Sequence, residues 1–203
     1  MGVSPRIAAI VLAAGQGRRF GGFGNKLLAD LDGRPVLRRA VEAALGARTC
    51  RTIVVIGHDR AAVEAALDGL PVVFAHNPDF ASGLAASLRA GLAVVGEADV
   101  VVVLLGDMPG VRAETVNALI DAFAVAPGAS AIVPLRNGRR GNPVLLARAL
   151  FPRVETLRGD EGARRLLAAD DSVLECAVDD DGVLADVDAP ADLDKFRAPI
   201  RRS

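Results

Sequence analysis

Short apolar runs rich in β-branched residues alternate along the chain with longer stretches in which apolar residues recur every three or four positions. The first pattern is typical of buried strands and the second of amphipathic helices. The predicted strands are residues 7–13, 52–57, 71–75, 99–105, 129–135 and 142–147, and the predicted helices are residues 35–45, 59–70, 87–95, 114–124 and 162–170. This alternation predicts βαβ units on a largely parallel sheet.

The predicted strand at residues 99–105 indicates how the sheet is covered. Its sequence, DVVVVLL, is apolar at consecutive positions, as expected for a strand that has helices on both faces. We therefore predict an α/β fold, a three-layer α/β/α sandwich with a Rossmann-like, mostly parallel sheet. A chain of 203 residues, 51% of them hydrophobic, is large enough for one core. We expect one domain over residues 1–203, a basic hairpin at 136–142 and a frayed tail from about residue 196.

The charge of the chain and its cysteines indicate which kinds of partner to expect. The formal net charge is −1, and the Lys and Arg residues are spread along the chain, so nothing indicates a nucleic-acid-binding tail or a membrane anchor. The first apolar run is far shorter than a membrane span. Cys50 and Cys176 lie far apart without metal-ligand spacing, which favours reduced thiols in a cytoplasmic protein. An anionic ligand is therefore expected to be small and held locally.

The segment after the first predicted strand is rich in glycines and cations. Residues 12–28 read LAAGQGRRFGGFGNKLL and carry Arg18, Arg19 and Lys26 among their glycines. Glycines let backbone amides approach phosphate oxygens, and loops at the carboxyl ends of parallel strands collect ligands. The dinucleotide motif GxGxxG would need glycine in place of Phe20, and the P-loop motif has no match. A simple chain reversal would explain the glycines, but it explains the three cations less well.

This segment resembles the opening signature of the MobA-like nucleotidyltransferases, which run LA-[AG]-G, then Arg-[Met/Phe]-Gly, then Lys. The resemblance implies the fold of the nucleotide-diphospho-sugar transferases. It also implies that the loop binds a nucleotide, with Arg19 and Lys26 as catalytic cations on its phosphates. The nucleotide-binding residues implied in this segment are Leu12, Ala13, Ala14, Gly15, Gly17, Arg19 and Lys26.

Two aspartate motifs point to a metal. Asp107 follows a buried predicted strand, where it could bind Mg²⁺ together with phosphate oxygens or act as an ordinary turn residue before a proline. The sequence GDMP around it resembles the family's GDxP motif, and DVDAPADL at 186–193 resembles DxDTPxDL. The resemblance implies that Asp107, also catalytic, and Asp188 share a Mg²⁺ ion.

Two further motifs concern the rest of the substrates. NPDFASGLAASL resembles the family segment in which Asn77, Gly83 and Ser87 would contact base and ribose; a close-packing glycine is the alternative for Gly83. GNPVLL and GDEGAR resemble the acceptor side, which implies acceptor-binding roles for Asn142, Asp160 and Arg164. Asn142 stands where the family usually has histidine, and Asp160 could instead cap a helix.

The motifs follow one another in order over residues 7–193. LAAG, rather than LAGG, resembles the CTP-using branch, the molybdenum cofactor cytidylyltransferases. The resemblance implies Mg²⁺-dependent transfer of CMP from CTP to molybdopterin with release of pyrophosphate. The implied partners are CTP or another nucleoside triphosphate, a phosphorylated pterin acceptor, and a molybdoenzyme or its chaperone. The alternatives are a MobA-like transferase that uses GTP or another phosphorylated acceptor, and a protein of the same fold like nicotine blue oxidoreductase.

Overall fold

A computed structural model describes residues 5–15, 20, 24–168 and 170–197, without the side chain of Arg164. Within these residues ten strands form: β1 (Ile7–Ala13), β2 (Asp30–Leu31), β3 (Arg34–Pro35), β4 (Arg51–Ile56), β5 (Val73–His76), β6 (Val100–Leu105), β7 (Ala131–Arg136), β8 (Arg139–Arg140), β9 (Val144–Ala147) and β10 (Val173–Ala177). The helices are α1 (Val36–Leu45), α2 (Arg60–Ala66), α3 (Leu84–Ala93), α4 (Ala113–Val125), α5 (Phe151–Val154) and α6 (Ala163–Ala168).

Eight of the strands make one central sheet, in the order β10-β7-β9-β6-β1-β4-β5, with β8 paired to β7. Strand β1 runs parallel to both of its neighbours, β4 and β6. Two strands are antiparallel: β9 lies between β6 and β7, and β8 pairs with β7. The sheet is therefore mostly parallel, as predicted, and β1 and β6 end side by side at its carboxyl edge.

Alternate residues of β1 show the two faces of the sheet. Ala9, Val11 and Ala13 pack in the apolar cluster that contains α1, α2 and α4. Ala8, Ile10 and Leu12 pack in the other cluster, with α3, α5 and α6. Because successive side chains of a strand point to opposite faces, helices on both sides explain why the strand is apolar throughout. The predicted three-layer α/β/α architecture is confirmed.

The edges of the sheet differ most from the sequence prediction. Strand β10 was not predicted, because it is an edge strand and its Leu174 and Glu175 are exposed, which interrupts the apolar run. The predicted hairpin after residue 136 forms between β7 and β8, where Asn137 and Gly138 take positive φ at the turn. Helices α2 and α6 both end before their predicted last residues.

The C-terminal part of the chain returns to the carboxyl edge of the sheet. A 3₁₀ helix forms at Pro190–Lys195, and Phe196, the first residue of the predicted tail, packs with Leu193, Val187 and Phe20. Residues 198–203 lie outside the described part of the chain. No helix within the described residues is long and apolar enough to cross a membrane.

Candidate active site

A cavity of about 550 Å³ opens at the carboxyl edge of the sheet, beside the ends of β1 and β6. This volume falls in the range that small-molecule sites occupy. Among the residues predicted to form the site, those that line it are Leu12, Ala14, Gly15, Lys26, Gly83, Ser87, Asp107, Asp160 and Asp188. Residues predicted to bind the nucleotide, the metal and the acceptor are far apart in the sequence, but in the structure they line the same cavity.

Lys26 is bound to both predicted metal-binding aspartates. Its ammonium Nζ lies 2.6 Å from Oδ2 of Asp107 and 3.0 Å from Oδ1 of Asp188, and its side chain is only 15% exposed. Burial alone would lower the pKa of Lys26, but the charges and hydrogen bonds of the two carboxylates outweigh it and raise the pKa above its ordinary value. Lys26 is therefore a charged ammonium, located between two carboxylates.

Asp107 is positioned by the tight junction after β6. The amide of Gly106 donates to the carbonyl oxygen of Leu12 over 3.0 Å, which joins this junction to the end of β1. A Cβ at Gly106 would lie 2.8 Å from a methyl group of Leu37, so only glycine fits without displacement. The glycine of GDMP thus permits the close approach that brings Asp107 to the cavity.

Asp188 is held against Asp107 by backbone contacts of its own loop. The amide of Val187 donates to the carbonyl oxygen of Asp107 over 2.9 Å. The carboxylate of Asp192 accepts from the amides of Asp188 and Ala189, at 3.0 and 2.8 Å. The ion pair with Lys195 and these two amides hold the pKa of Asp192 at about 2, so it is ionised at neutral pH. The DVDAPADL motif therefore orders its own loop.

A third carboxylate joins the pair. Asp107, Asp186 and Asp188 each offer an oxygen within 4.8 Å of the others'. Asp186 was not predicted as a site residue, although its spacing of two from Asp188 in an extended segment is a signal for side chains on the same side. Three carboxylates are hard oxygen donors that suit a divalent ion such as Mg²⁺ or Mn²⁺. The ammonium of Lys26 already lies between two of these carboxylates, so the group accommodates positive charge.

Asn25 fixes the turn that carries Lys26. Its Oδ1 accepts from the amide of Leu27 at 3.0 Å, which caps the 3₁₀ turn Lys26–Leu28. Its Nδ2 donates to Oδ2 of Asp59 at 3.2 Å, and Asp59 adopts positive φ just before α2. The side chain of Asn25 is buried. This link, across 34 residues of sequence, was not predicted.

Two of the three residues predicted to contact base and ribose line the cavity. Asn77 does not; its Nδ2 donates to Oγ of Ser87 at 3.1 Å, and its Oδ1 accepts from the amide of Asp79 at 3.0 Å. Both Asn77 and Ser87 are buried. Asn77 is thus placed to orient Ser87. The side chain of Ala13 faces the core on the other side of the sheet.

The predicted acceptor residues are only partly brought together. Asp160 lines the cavity, and the preceding Gly159 accepts a hydrogen bond from the amide of Ala85 at 3.0 Å. Asn142 is not among the lining residues, and its amide donates to the carbonyl oxygen of Val183. Arg164 lies in α6, but its side chain is outside the described part of the structure. Gly17 and Arg19 also lie outside the described residues.

The comparison with known families agrees with this geometry. Residues 9–173 match the profile of the MobA-like NTP transferase domain. The chain belongs to the MobA-like NTP transferases. The transferase is therefore a nucleotidyltransferase enzyme, and the predicted family, fold and enzyme class are confirmed.

Several relatives of this transferase resemble it along most of their length. The purine catabolism protein PucB of Bacillus subtilis (strain 168) is 32% identical over 216 residues, covering 96% of this chain and 97% of its own. Nicotine blue oxidoreductase of Paenarthrobacter nicotinovorans is 32% identical over 168 residues, covering 80% and 82%. Rv0371c of Mycobacterium tuberculosis H37Rv superposes with a TM-score of 0.81 at 30% identity, covering 96% and 98%. Its manganese complex superposes with a TM-score of 0.69 at 31% identity, covering 85% and 88%.

Proposed function

We propose that this transferase moves CMP from CTP to a phosphorylated pterin of the molybdopterin class, with Mg²⁺ as its metal. The observation that carries the proposal is the contact of Lys26 with Asp107 and Asp188 inside a cavity large enough for a small molecule. The LAAG sequence at the end of β1 supports CTP as the nucleotide. The manganese complex of Rv0371c, a relative at 31% identity, supports a divalent metal.

In the proposed reaction a phosphate oxygen of the acceptor attacks the α-phosphorus of CTP. A bond from that oxygen to phosphorus forms, the bond from the α-phosphorus to the bridging oxygen breaks, and pyrophosphate leaves. Such chemistry requires alignment and stabilisation of charge more than bond-making groups of the protein. The protein's task is therefore to hold the triphosphate and the acceptor in line.

Each part of the site has a task in this scheme. Asp107, Asp188 and the adjacent Asp186 would hold Mg²⁺, which when bound would neutralise charge on the phosphates. Lys26 would then leave the carboxylates and bind the β- and γ-phosphates, together with Arg19. Ser87, oriented by Asn77, and the backbone at Gly83 would contact base and ribose. Asp160, which lines the cavity, would contact the acceptor, with Asn142 and Arg164 as further proposed contacts. A molybdoenzyme or its chaperone would receive the product.

A second candidate function follows from one relative. Nicotine blue oxidoreductase is 32% identical over 80% of this chain, so a redox activity on the same fold is the competing proposal. Fold alone does not separate the two, because one fold hosts many functions. The name of PucB, a purine catabolism protein, leaves both open.

Ligand-induced thermal stabilisation tests the nucleotide. CTP, GTP, ATP and UTP, each with Mg²⁺, are ranked by the increase in Tm of the wild-type protein and of Asp107→Asn. A ligand that binds only the folded state must stabilise it, so CTP should give the largest increase in wild-type protein and a smaller one in the variant. A larger increase in Tm with GTP than with CTP would contradict the proposal and favour a GTP-using transferase.

The reaction class is tested separately. Release of pyrophosphate from CTP that depends on a phosphorylated pterin supports cytidylyl transfer. Oxidation of NADH or NADPH without pyrophosphate release would replace the proposal with the redox alternative.

A further inference from the structure

Phe80 is an aromatic side chain in the wall of the cavity, and the proposed reaction so far gives it no task. It begins the 3₁₀ turn Phe80–Ser82 between β5 and α3. Among the described lining residues it is the aromatic one, and it is half-buried against the apolar cluster that contains α3. A ring that is held by the core on one side and exposed to the cavity on the other can contact a ligand.

Gly57 allows Phe80 to lie beside Ala14, in the segment that follows β1. A Cβ at Gly57 would be 2.6 Å from Cβ and 2.9 Å from Cγ of Phe80, and 3.0 Å from Cβ of Ala14. Phe80 and Ala14 therefore meet over this glycine. The ring of His58 is also near Phe80, with the two ring centroids 5.8 Å apart and the ring planes inclined at 47°. The position of Phe80 is thus set by its neighbours.

The backbone of this turn is tied to the residues that orient Ser87. The amide of Gly83 donates to the carbonyl oxygen of Phe80 at 3.3 Å. The preceding residue, Asp79, donates its amide to Asn77, whose Nδ2 donates to Ser87. Phe80, Gly83 and Ser87 all face the cavity. Hydrogen bonds in this one segment therefore hold both the backbone that carries the phenyl ring and the side chain of Ser87.

We infer that Phe80 packs against the flat face of a heteroaromatic ring of a substrate and so contributes to ring recognition. The phenyl group has no hydrogen-bonding atoms, so it would act by stacking, while the polar groups around it would set the orientation of the ring. Stacking on an aromatic side chain accepts any base, because every base has a π-face. The inference rests on the proposed function, which supplies two rings of this chemistry, the nucleotide base and the pterin.

Fluorescence offers a direct test, because the chain contains no Trp and no Tyr. In Phe80→Trp the single indole would report on the cavity wall. We would titrate this variant with CTP and Mg²⁺, with inorganic triphosphate and Mg²⁺, and with 6-hydroxymethylpterin. A ring stacked on the indole should quench its emission in a saturable way, and triphosphate, which has no ring, should not. Quenching by CTP assigns Phe80 to the base, and quenching by the pterin assigns it to the acceptor.

Phe151 provides a matched control. Its ring is also half-buried against the apolar cluster with α3, but it is not among the lining residues of the active-site cavity. In Phe151→Trp none of the three ligands should change the emission. A change of equal size in both tryptophan variants would show a general effect on the protein and overturn the inference.

Affinity measurements separate ring recognition from packing. Phe80→Leu should raise the Kd of the quenching ligand about tenfold, within the range for loss of one stacked ring, and leave the Kd of triphosphate unchanged. Phe80→Tyr, which keeps the ring, should restore binding even if the leucine variant folds poorly. Phe151→Leu should lower stability without changing Kd.

The outcome that overturns the inference is distinguishable from failure of the proposed function. If no ring-bearing ligand quenches Phe80→Trp while CTP raises the Tm of the wild-type protein, ring recognition by Phe80 is wrong and nucleotide binding stands. If CTP also fails to raise the Tm of the wild-type protein, both are wrong.

Discussion

Lys26 and Asp107 form a partly buried ion pair, with Nζ and Oδ2 2.6 Å apart, at the point where the carboxyl ends of β1 and β6 meet. Asp188 shares the same ammonium at 3.0 Å. A divalent ion bound between these carboxylates would be repelled by Lys26 at such distances, because like charges in a poorly solvated site interact strongly. A bound metal would therefore compete with Lys26 for the same oxygens until phosphates offered Lys26 another partner.

The first prediction concerns this competition. Lys26→Ala should bind Mn²⁺ more tightly than the wild-type protein in the absence of nucleotide, because the competing cation is gone. The same variant should lose about 10²–10⁴-fold in kcat/KM, the range for loss of one preorganised electrostatic donor. Mn²⁺ electron paramagnetic resonance measures the first effect, and steady-state kinetics with CTP and a phosphorylated pterin measures the second.

Two variants serve as comparisons for Lys26→Ala. Lys26→Arg should recover only part of the activity, since a planar fork replaces a compact ammonium. Arg60→Ala removes a surface cation that pairs with Glu64, and it should change neither measurement. Mn²⁺ affinity in Lys26→Ala equal to that of the wild-type protein would show that Lys26 and the metal do not compete.

The second prediction concerns how much each of the three carboxylates contributes to Mg²⁺-dependent activity. Asp107→Asn should abolish turnover with the fold intact. Asp188→Asn should raise the Mg²⁺ concentration for half-maximal activity by at least about 10-fold, because loss of a proposed ligand should weaken binding no less than loss of an outer-shell partner does. Asp186→Asn should have a smaller effect, since Asp186 is the most exposed of the three. Activity is titrated against Mg²⁺, with Asp194→Asn, a surface residue paired with Arg197, as the control. Wild-type activity of Asp107→Asn at limiting Mg²⁺ would contradict the shared-metal assignment.

The third prediction concerns the contact between the two sides of the cavity. Gly83 has φ +97°, and a Cβ there would lie 2.4 Å from the carbonyl carbon of Gly159. Gly83→Ala should therefore destabilise the protein by roughly 1–3 kcal/mol through overpacking, in addition to backbone strain. Gly96 has φ +67°, and a Cβ there would have nothing within 4 Å. Gly96→Ala is therefore the control that adds backbone strain without overpacking. Chemical denaturation should show a larger loss for Gly83→Ala than for Gly96→Ala; equal losses would mean that the Gly159 loop moves freely away.

The fourth prediction concerns stability in acid. Hydrogen bonds from Ser172, with a further one from Arg153, hold the pKa of Asp170 at about 2, below its ordinary value of 3.8. Since the folded-state pKa is depressed, Asp170 contributes stability above its ordinary value, and this is lost as pH falls from about 4 to about 2. Asp170→Asn should therefore lower the free energy of unfolding at neutral pH, and its difference from the wild-type protein should shrink in that window.

Urea denaturation as a function of pH measures this, with the exposed neighbour Asp171→Asn as the control. A difference between Asp170→Asn and the wild-type protein that stays constant from neutral pH to pH 2 would show that the carboxylate charge is not the cause.

The sequence predicted the parts of the fold that depend on local pattern. Strand β6 is apolar on both faces because it is central, and that pattern is visible in DVVVVLL without any structure. Edge strand β10 lacks it, since three of its five residues are exposed. Patterns of hydrophobicity therefore identify the centre of this sheet better than its border.

In the candidate site, too, some residues could be predicted from the sequence and others could not. Asp107 and Asp188 are recognisable because each lies in a short motif of its own. The contacts of Asn25 with Asp59 and of Asn77 with Ser87 depend on how separate loops meet, so residue type alone did not reveal them. The predicted contact of Asn77 with substrate stays a prediction; in the structure Asn77 hydrogen-bonds Ser87, which lines the cavity.

The hydrogen bond from the amide of Val187 to the carbonyl oxygen of Asp107 joins an early part of the chain to one that is synthesised much later. The second carboxylate is supplied by a segment that begins after residue 173, where the family match ends. Because a chain is synthesised from its N-terminus, the residues of β1, β4 and β6 leave the ribosome before Asp188. The group of three carboxylates is thus completed late, and a chain cut short before Asp186 would include the residues of every strand but only one of the three acids.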